Sequence, residues 1–268
     1  MASSKKATTP VPAYNPFFVT LQGITNVFTY AFSVGMTILL IGVVGSIVSW
    51  VISPDKQSQS TGAATIDPQQ LPLLITVIAI VIVFSLVVGA MLHGIQSYAA
   101  LRVSRSEKTT ITEAFNVVLG QFGGYLMLYI WMHVKIFLWS LLLIIPGIIA
   151  YYRYSFAGVV FFDKELRGDA AIKESNRLTK DGLMTIFGSQ TLFNIMTFGV
   201  MSGVVTLAST SELYREYTAL DAANRSKPAA HWLSWFCIAL PFIVIGLALL
   251  FILAIVIVVG VTGALLTR

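Results

Sequence analysis

Long apolar stretches, each separated from the next by a shorter polar one, follow one another along the chain. The hydrocarbon core of a bilayer is about 30 Å thick and needs roughly 20 apolar residues in a helix. Because backbone groups in lipid must hydrogen-bond to one another, such stretches favour helices over open strands. The pattern predicts an all-α, polytopic membrane bundle of about six transmembrane helices, with approximate bounds 28–52, 71–99, 122–145, 148–162, 186–208 and 242–265.

The N-terminal region is polar and differs from the rest of the chain. Residues 1–26 predict a polar tail with an interfacial lead-in at Pro16 and Phe17, and residues 27–268 predict a single membrane domain. The first apolar stretch exceeds roughly 20 residues, which is too long for the apolar part of a cleaved signal peptide. We therefore expect the first helix to be retained.

Composition supports residence in a membrane. Hydrophobic residues make up 56% of the 268 residues and charged residues only 11%, whereas a soluble protein carries about 25% charged residues. Too few charges remain to cover a water-soluble fold, which excludes a soluble enzyme and an ordinary nucleic-acid-binding protein. The single cysteine, Cys237, excludes an internal disulfide and a cysteine-based zinc site.

The sequence contains no recognisable catalytic or cofactor-binding motif. His93, His133 and His231 lie in different segments, and none has a metal-ligand partner at i+3 or i+4. Phosphate-binding glycine loops and the serine-hydrolase elbow are also absent. We expect no metal, no cofactor and no enzymatic activity.

The polar stretch after the second span predicts a short surface helix. Thr110 precedes Glu113 by three residues, which is the spacing of a capping box. From Ile111 onwards, apolar residues recur on one helical face. We predict an amphipathic helix over 111–120 that lies on the membrane surface and leads into the third span.

The most charged stretch, residues 163–185, predicts a cytoplasmic helix that Asp169 caps. The charged face can pair with itself, since Glu174–Arg177 and Arg177–Asp181 have i,i+3 and i,i+4 spacing. Such a run is typical of a solvated helix face. The residues of this helix that we single out, on its charged and its weakly apolar faces, are Lys173, Glu174, Ser175, Arg177 and Thr179.

Two features of the later spans allow alternatives. Pro146–Gly147 separates the third and fourth apolar segments and predicts the turn of a helical hairpin, the alternative being a proline kink in one long helix. Segment 186–208 is apolar but contains several polar residues, so it is either a fifth span or a re-entrant segment. Residues 209–230 then form a second polar stretch.

Basic residues predict the orientation of the bundle. With six spans and a cytoplasmic N-terminus, eleven of the 17 Lys and Arg residues lie on the inner side and four on the outer side. Basic residues favour cytoplasmic loops. The count predicts that both termini are cytoplasmic, but the C-terminus moves outside if 186–208 is re-entrant.

Two cations within apolar segments, Lys135 and Arg153, are the main candidate site residues. A charge in the hydrocarbon region is costly and often marks function. Since no acidic residue lies in the middle of a predicted span, these cations suggest an anionic ligand such as a lipid phosphate. Snorkelling of their long side chains to the headgroups is the alternative. His133, close to Lys135, is a further candidate, or a histidine satisfied by a single hydrogen bond.

Part of the chain resembles a known family. The pieces are YAALRVSRSEKTTITEAF (98–115), LLLIIPGIIAYYRYSFAGVVFFD (141–163) and AAIKESNRLTKDGLMTIFG (170–188). They resemble the membrane domain associated with glycerophosphoryl diester phosphodiesterases and related uncharacterised multi-pass bacterial proteins. Asp181 before Gly182 departs from the family pattern. The resemblance implies a six-span bacterial inner-membrane protein without catalysis, since the phosphodiesterase active site belongs to a separate soluble domain.

These observations predict a non-enzymatic integral protein of the inner or plasma membrane, acting as a scaffold, an accessory protein or a lipid-interacting protein. Its expected partners are membrane lipids, other membrane proteins or further copies of itself, and not nucleic acid. The alternative is a small transporter or lipid-handling protein that uses Lys135 and Arg153 for an anionic ligand.

Overall fold

The protein is an all-α bundle. The computed structural model describes residues 14–40 and 71–240 and single positions up to 255, and helix is the only regular secondary structure among them. The predicted tail over 1–13, the second half of the first predicted span and most of the last one lie outside the described residues. In chain order the helices are α1 (Pro16–Tyr30), α2 (Phe32–Leu40), α3 (Leu71–Ser104), α4 (Ile111–Gly120), α5 (Phe122–Leu142), α6 (Ile144–Arg153), α7 (Ala157–Asp163), α8 (Asp169–Thr179), α9 (Leu183–Met196), α10 (Ser202–Ala222) and α11 (232–240).

Several helices are long and apolar enough to cross a membrane. They are Ile82–Ser104 within α3, Phe122–Leu142, and Ile144–Asp163, which joins α6 and α7. A fourth is possible if α1 and α2, which meet at a bend of 112°, count as one broken span. The chain is therefore a helical membrane protein, as the apolar pattern predicts.

The first predicted span, 28–52, contains this bend at Ala31. The backbone at the bend is held by the start of α4: Thr109 N donates to Tyr30 O at 2.8 Å, and Ile111 N donates to Ser33 Oγ at 3.1 Å. Before the bend, α1 packs across the bundle on α9 and α10. After it, α2 lies beside α3, where Ile38 and Gln96 line the same small cleft. Because the bend turns the chain, α1 packs mainly on α9 and α10, whereas α2 reaches α3 and the start of α10.

The helix predicted over 111–120 is confirmed with the same bounds, and its position on the membrane surface stays a prediction. Thr110 is its N-cap, and its hydroxyl accepts from Glu113 N at 3.2 Å. Ala114 and Val118 on its apolar face are buried. The capping-box spacing therefore fixes the first turn, while burial of one face attaches the helix to α3.

Helices α5 and α6 pack side by side as a hairpin, but the turn is not at Pro146–Gly147. It is at Leu143, the only residue between the two helices, whose backbone is extended with φ −162° and ψ 145°. Pro146 and Gly147 instead lie in the first turn of α6. A Cβ at Gly147 would be 2.8 Å from Ser140 Cα, so glycine permits the close contact of the two helices beside the turn.

The prediction of one continuous fifth span over 186–208 is wrong, and the alternative of a re-entrant segment stays a prediction. The stretch is divided between α9 and α10, with a break at 197–201 in which Phe198 and Gly199 have positive φ values of 49° and 76°. α10 then continues to Ala222 through residues read from the sequence as a polar stretch. Burial of this stretch explains its helical structure, because Leu213, Tyr214 and Tyr217 are among its buried residues.

Charged side chains from distant parts of the chain meet at one end of the bundle. We call this the charged layer and define it as residues 102–113, 163–181 and 212–227. The polar stretch before α9 and the second half of α10 therefore lie at the same end of the bundle. The contacts that join its parts to one another or to the start of the described chain include Arg105–Asp163, Arg177–Asp221 (2.7 Å), Tyr14–Glu216 (2.9 Å) and Tyr214–Asp163.

Candidate functional site: a polar cavity and an arginine recess

A polar cavity of about 360 Å³ lies among five helices of the bundle. Its volume is at the lower end of the range for small-molecule sites, about 300–1,000 Å³. Among the described residues that line it, none is Asp, Glu, Lys or Arg. The lining residues with hydrogen-bonding side chains are His93, Gln96, Tyr129, His133, Tyr151, Tyr154, Ser155, Gln190, Asn194, Ser202 and Thr206.

Helices α3, α5 and α7 hold one wall of the cavity through a buried hydrogen-bond network. His93 Nδ1 and the Tyr125 hydroxyl lie 2.6 Å apart, and the same hydroxyl is 3.0 Å from Ser97 Oγ. Gly158 of α7 lies against the side chains of Ser97 and Tyr125, since a Cβ there would be 2.6 Å from Tyr125 OH. A glycine at this position therefore lets the three helices approach closely enough to fix the His93 imidazole.

The opposite wall comes from α9 and leaves polar atoms without partners. Gln190 is only 3% exposed, yet its Nε2 has no hydrogen-bond partner among the described residues. Oδ1 of Asn194, one turn further along the helix, also has no hydrogen-bond partner among the described residues. A buried polar atom without a partner costs about 1–3 kcal/mol, so these amides are groups that a ligand or water would satisfy.

The break between α6 and α7 places Tyr154 and Ser155 in the cavity wall. Arg153 O, near the end of α6, accepts hydrogen bonds from Ser175 Oγ at 2.8 Å and Thr179 Oγ1 at 3.1 Å. Both hydroxyl residues are buried on the face of α8 that the sequence describes as weakly apolar. Their role is to anchor the end of α6 on α8.

His133 also lines the cavity, and its ring is satisfied within its own helix. The ring nitrogen Nδ1 lies 2.8 Å from Tyr129 O, and the rings of Tyr129 and His133 are 4.1 Å apart. This agrees with the interpretation of His133 as a histidine with a single satisfied hydrogen bond. Its placement beside His93 and Tyr129 makes it part of the cavity wall.

Lys135 has a carboxylate partner, so the expectation that both cations lack one is wrong for this residue. Its ammonium pairs with Asp169, and Nζ lies 5.5 Å from the centre of the Trp131 ring. Asp169 is the first residue of α8 and not its cap, since Gly168 holds that position with φ 52°. The Lys135 and Lys173 ammonium groups lower the pKa of Asp169 to about 2.

Arg153 lies in a different environment, a recess of about 300 Å³ between α5, α6 and α8. Trp139, Pro146 and Asn176 are among the residues that line it, and Tyr154 lines both this recess and the polar cavity. Lys135 lines neither of them among the described residues. The structure thus separates the two cations and joins Arg153, through Tyr154, to the polar cavity.

The charged face of α8 is confirmed, with one change of partner. Glu174 pairs with Arg177 at 2.8 Å, as predicted, and also with Lys164. Hydrogen bonds from Arg177 and Lys164 lower the pKa of Glu174 to about 2. Arg177 turns towards Asp221 of α10 at 2.7 Å, and not towards Asp181 as its spacing predicted. Lys173 is the most exposed of these residues.

Sequence reasoning identified His133 and Arg153 but missed Gln96, Gln190 and Asn194 as site residues. The polar interruptions of segment 186–208 were the only signal for Gln190 and Asn194, and Gln96 lies in a different predicted span. A single sequence does not show which helix they face.

Among the described residues, no three His, Cys, Asp or Glu side chains meet as they would around a metal ion.

Comparisons with protein-family models, curated proteins and solved structures find no match for this chain. The resemblance to the phosphodiesterase-associated membrane domain therefore stays a prediction. What is established is a helical membrane protein in which a polar cavity adjoins an arginine recess.

Proposed function

We propose that this protein is a non-enzymatic membrane protein that binds a phospholipid, with the phosphate at Arg153 and the polar headgroup in the cavity. The observation that carries the proposal is the buried Gln190 amide, which faces a polar cavity and whose Nε2 has no hydrogen-bond partner in the part of the chain that the structure describes. Burial without a hydrogen bond is costly, and a bound polar group would remove that cost.

The chemistry of the lining favours a hydroxyl-rich, uncharged headgroup such as glycerol or a sugar. Amide, imidazole, phenol and hydroxyl groups offer both donors and acceptors, whereas a second formal charge on the ligand would find no opposite charge among the described lining residues. Arg153 supplies the cation for one phosphate, because a guanidinium can donate two parallel hydrogen bonds to it.

Location and partners belong to the same proposal. The protein is placed in a bacterial inner or plasma membrane with its N-terminus in the cytoplasm, on the basic-residue pattern and the family resemblance. Membrane lipids are the proposed partners. The proposal of no enzymatic activity rests on the lack of a recognisable nucleophile–base motif in the sequence.

Native mass spectrometry of the purified protein, with added phosphatidylglycerol, tests the proposal. Gln190→Met should lower lipid retention about fivefold, as expected for one lost hydrogen bond worth about 1 kcal/mol. Arg153→Gln should lower it by about tenfold or more, because the lost bond is charge-assisted. Gln121→Met and Arg225→Gln make the same chemical changes at exposed positions outside both cavities and should retain the lipid. Equal retention by all four variants would reject the proposal.

A small-solute transporter is the second candidate, because the three helices with span-like length all contribute to the cavity. Polar sites between membrane helices are where transporters bind their substrates. Uptake of labelled glycerol by proteoliposomes, abolished by Gln190→Met, would favour this candidate. Lipid retention without uptake would favour lipid binding.

A further inference from the structure

The tip of the α5–α6 hairpin is a continuous apolar surface. From Leu141 to Ala150 the chain contains no polar side chain, and the residues on either side of the turn at Leu143 are largely exposed. Ile144 is 76% exposed and Ile145 70%. Surface turns are ordinarily polar, so a turn of this composition is not made for water or for headgroups.

The base of the same hairpin is attached to the charged layer. Lys135 of α5 pairs with Asp169 of α8, and the Arg167 guanidinium lies against Gly124, where a Cβ would be 3.1 Å from Nη1. On the other arm, Arg153 O is held by Ser175 and Thr179 of α8. Gly124 and Lys135 of α5 thus lie beside charged residues of the charged layer, and only the part of α5 after Lys135 is free of charged side chains and of such contacts.

The length of that free part is too short to cross a bilayer. Lys135 and Leu142 are seven positions apart and Ile144 and Arg153 are nine positions apart, which gives arms of about 10 and 14 Å at 1.5 Å per residue. The hydrocarbon core is about 30 Å thick. A tip at the far surface would draw the Lys135–Asp169 pair, and with it the charged helix α8, into the middle of the hydrocarbon, which is very unfavourable.

Helix α3 has the uncharged length that a helix crossing the membrane requires. It carries no Asp, Glu, Lys or Arg from Leu71 to Leu101, a length of about 45 Å, and its charged end reaches the same charged layer at Arg102. The hairpin and α3 both contact the charged layer, but only α3 has an uncharged length sufficient to reach the other side.

We propose that the α5–α6 hairpin enters the bilayer from the charged layer and ends within the hydrocarbon core, so that its tip contacts the acyl chains of one leaflet. Both ends of the hairpin return to the same side. α5 and α6 together form a re-entrant element, in place of the two full spans that their combined length and composition would allow.

The backbone of the tip fits this position, since lipid offers no hydrogen-bond partners. Only Leu143 is non-helical, and its N–H donates to Trp139 O at 3.2 Å. Pro146 occupies the third position of α6, where an N–H would have no partner within the helix, and proline has none to satisfy. Ser140 Oγ donates to Ile136 O at 2.9 Å, so the last polar side chain of α5 is satisfied by its own helix.

Depth-dependent quenching tests the proposal. A Leu143→Cys variant in a Cys237→Ser background, labelled with a fluorophore and reconstituted into vesicles, should be quenched most by a lipid nitroxide near the end of the acyl chain. A label at Phe137→Cys should be quenched most by a nitroxide nearer the headgroup. A label at Lys173→Cys should remain accessible to a water-soluble quencher. Strongest quenching of the Leu143 position by a headgroup nitroxide, or by no lipid nitroxide, would overturn the proposal.

A charge at the tip provides a test that needs no label. Leu143→Lys should sharply lower the recovery of folded protein from membranes, because the ammonium would lie in the hydrocarbon core. Leu119→Lys, at an exposed leucine of α4 beside the charged layer, should be recovered like the parent protein. Normal recovery of Leu143→Lys would mean that the tip reaches headgroups or water, and would overturn the proposal.

Discussion

Lys135 on α5 and Asp169 at the first residue of α8 form an ion pair that joins the hairpin to the charged layer. The two residues are 34 positions apart in the chain. The pair explains how a lysine within an apolar segment is tolerated, because a polar helix brings a carboxylate to it. It also leaves Arg153 as the cation beside the polar cavity.

The Lys135–Asp169 pair should make a pH-dependent contribution to stability. The pKa of Asp169 is lowered from 3.8 to about 2 in the folded protein, so the contribution is present above about pH 4 and is lost as the pH falls through 2. The carboxylate is 40% exposed, so screening limits the effect to about 0.5–1 kcal/mol. Asp169→Asn should be less stable than the parent by this amount at neutral pH and equal to it near pH 1, below both pKa values, in thermal unfolding followed by circular dichroism. Glu165→Gln, at an exposed residue, is the control, and a difference that persists near pH 1 would contradict the pairing.

The close contact at the hairpin turn predicts opposite effects of two glycine substitutions on α5 and α6. Gly147→Ala places a Cβ 2.8 Å from Ser140 Cα and should lower the free energy of unfolding by about 1–3 kcal/mol. Gly123→Ala, where a Cβ would have nothing within 4 Å, should be neutral or stabilise by up to about 1 kcal/mol because alanine favours helix. Thermal unfolding in detergent compares the two variants. Equal stabilities would show that the helices do not approach each other here.

The Arg177–Asp221 pair predicts that residues 163–185 and 209–230 lie on one side of the membrane. With 242–265 crossing, that side would hold thirteen of the 17 basic residues and the other side two, a stronger bias than the six-span arrangement gives. Cysteines introduced at Lys173 and Arg225, in a Cys237→Ser background, should both resist an impermeant maleimide added to intact cells and react after the cells are opened. Labelling of only one of the two positions in intact cells would restore the six-span arrangement.

The sequence predicts the fold best where residues that are close together in the chain determine the local structure. The helix over 111–120 was predicted to the residue, because the Thr110 hydroxyl caps it locally by accepting from Glu113 N. The hairpin was predicted, but its turn was placed three residues too late. Proline and glycine are ordinary turn residues, whereas here they serve the first turn of α6 and its packing on Ser140.

The helix α10 and the cavity could not be predicted for a different reason. Buried Glu212 is paired with Arg215 at 2.5 Å and accepts from Asn26 of α1, so a stretch that reads as a polar loop is a core helix. Likewise, Gln190 and His93 are 97 positions apart in the sequence and meet only through packing. Composition and periodicity within one segment do not contain such contacts.

We predict that the buried Gln190 amide lowers the stability of the lipid-free protein and strengthens its binding of lipid. Replacing it by Met removes a buried polar group of similar size, so Gln190→Met should raise the free energy of unfolding of the lipid-free protein by about 1–3 kcal/mol. Added phosphatidylglycerol should raise the melting temperature of the parent protein more than that of the variant, since only the parent gains a hydrogen bond on binding. Gln121→Met at an exposed position should change the free energy of unfolding by no more than about 0.5 kcal/mol. It should leave the rise in melting temperature on adding lipid as it is in the parent protein. A lipid-free Gln190→Met protein that is less stable than the parent would mean that the amide is already satisfied, and that the cavity is part of the packing and not a binding site.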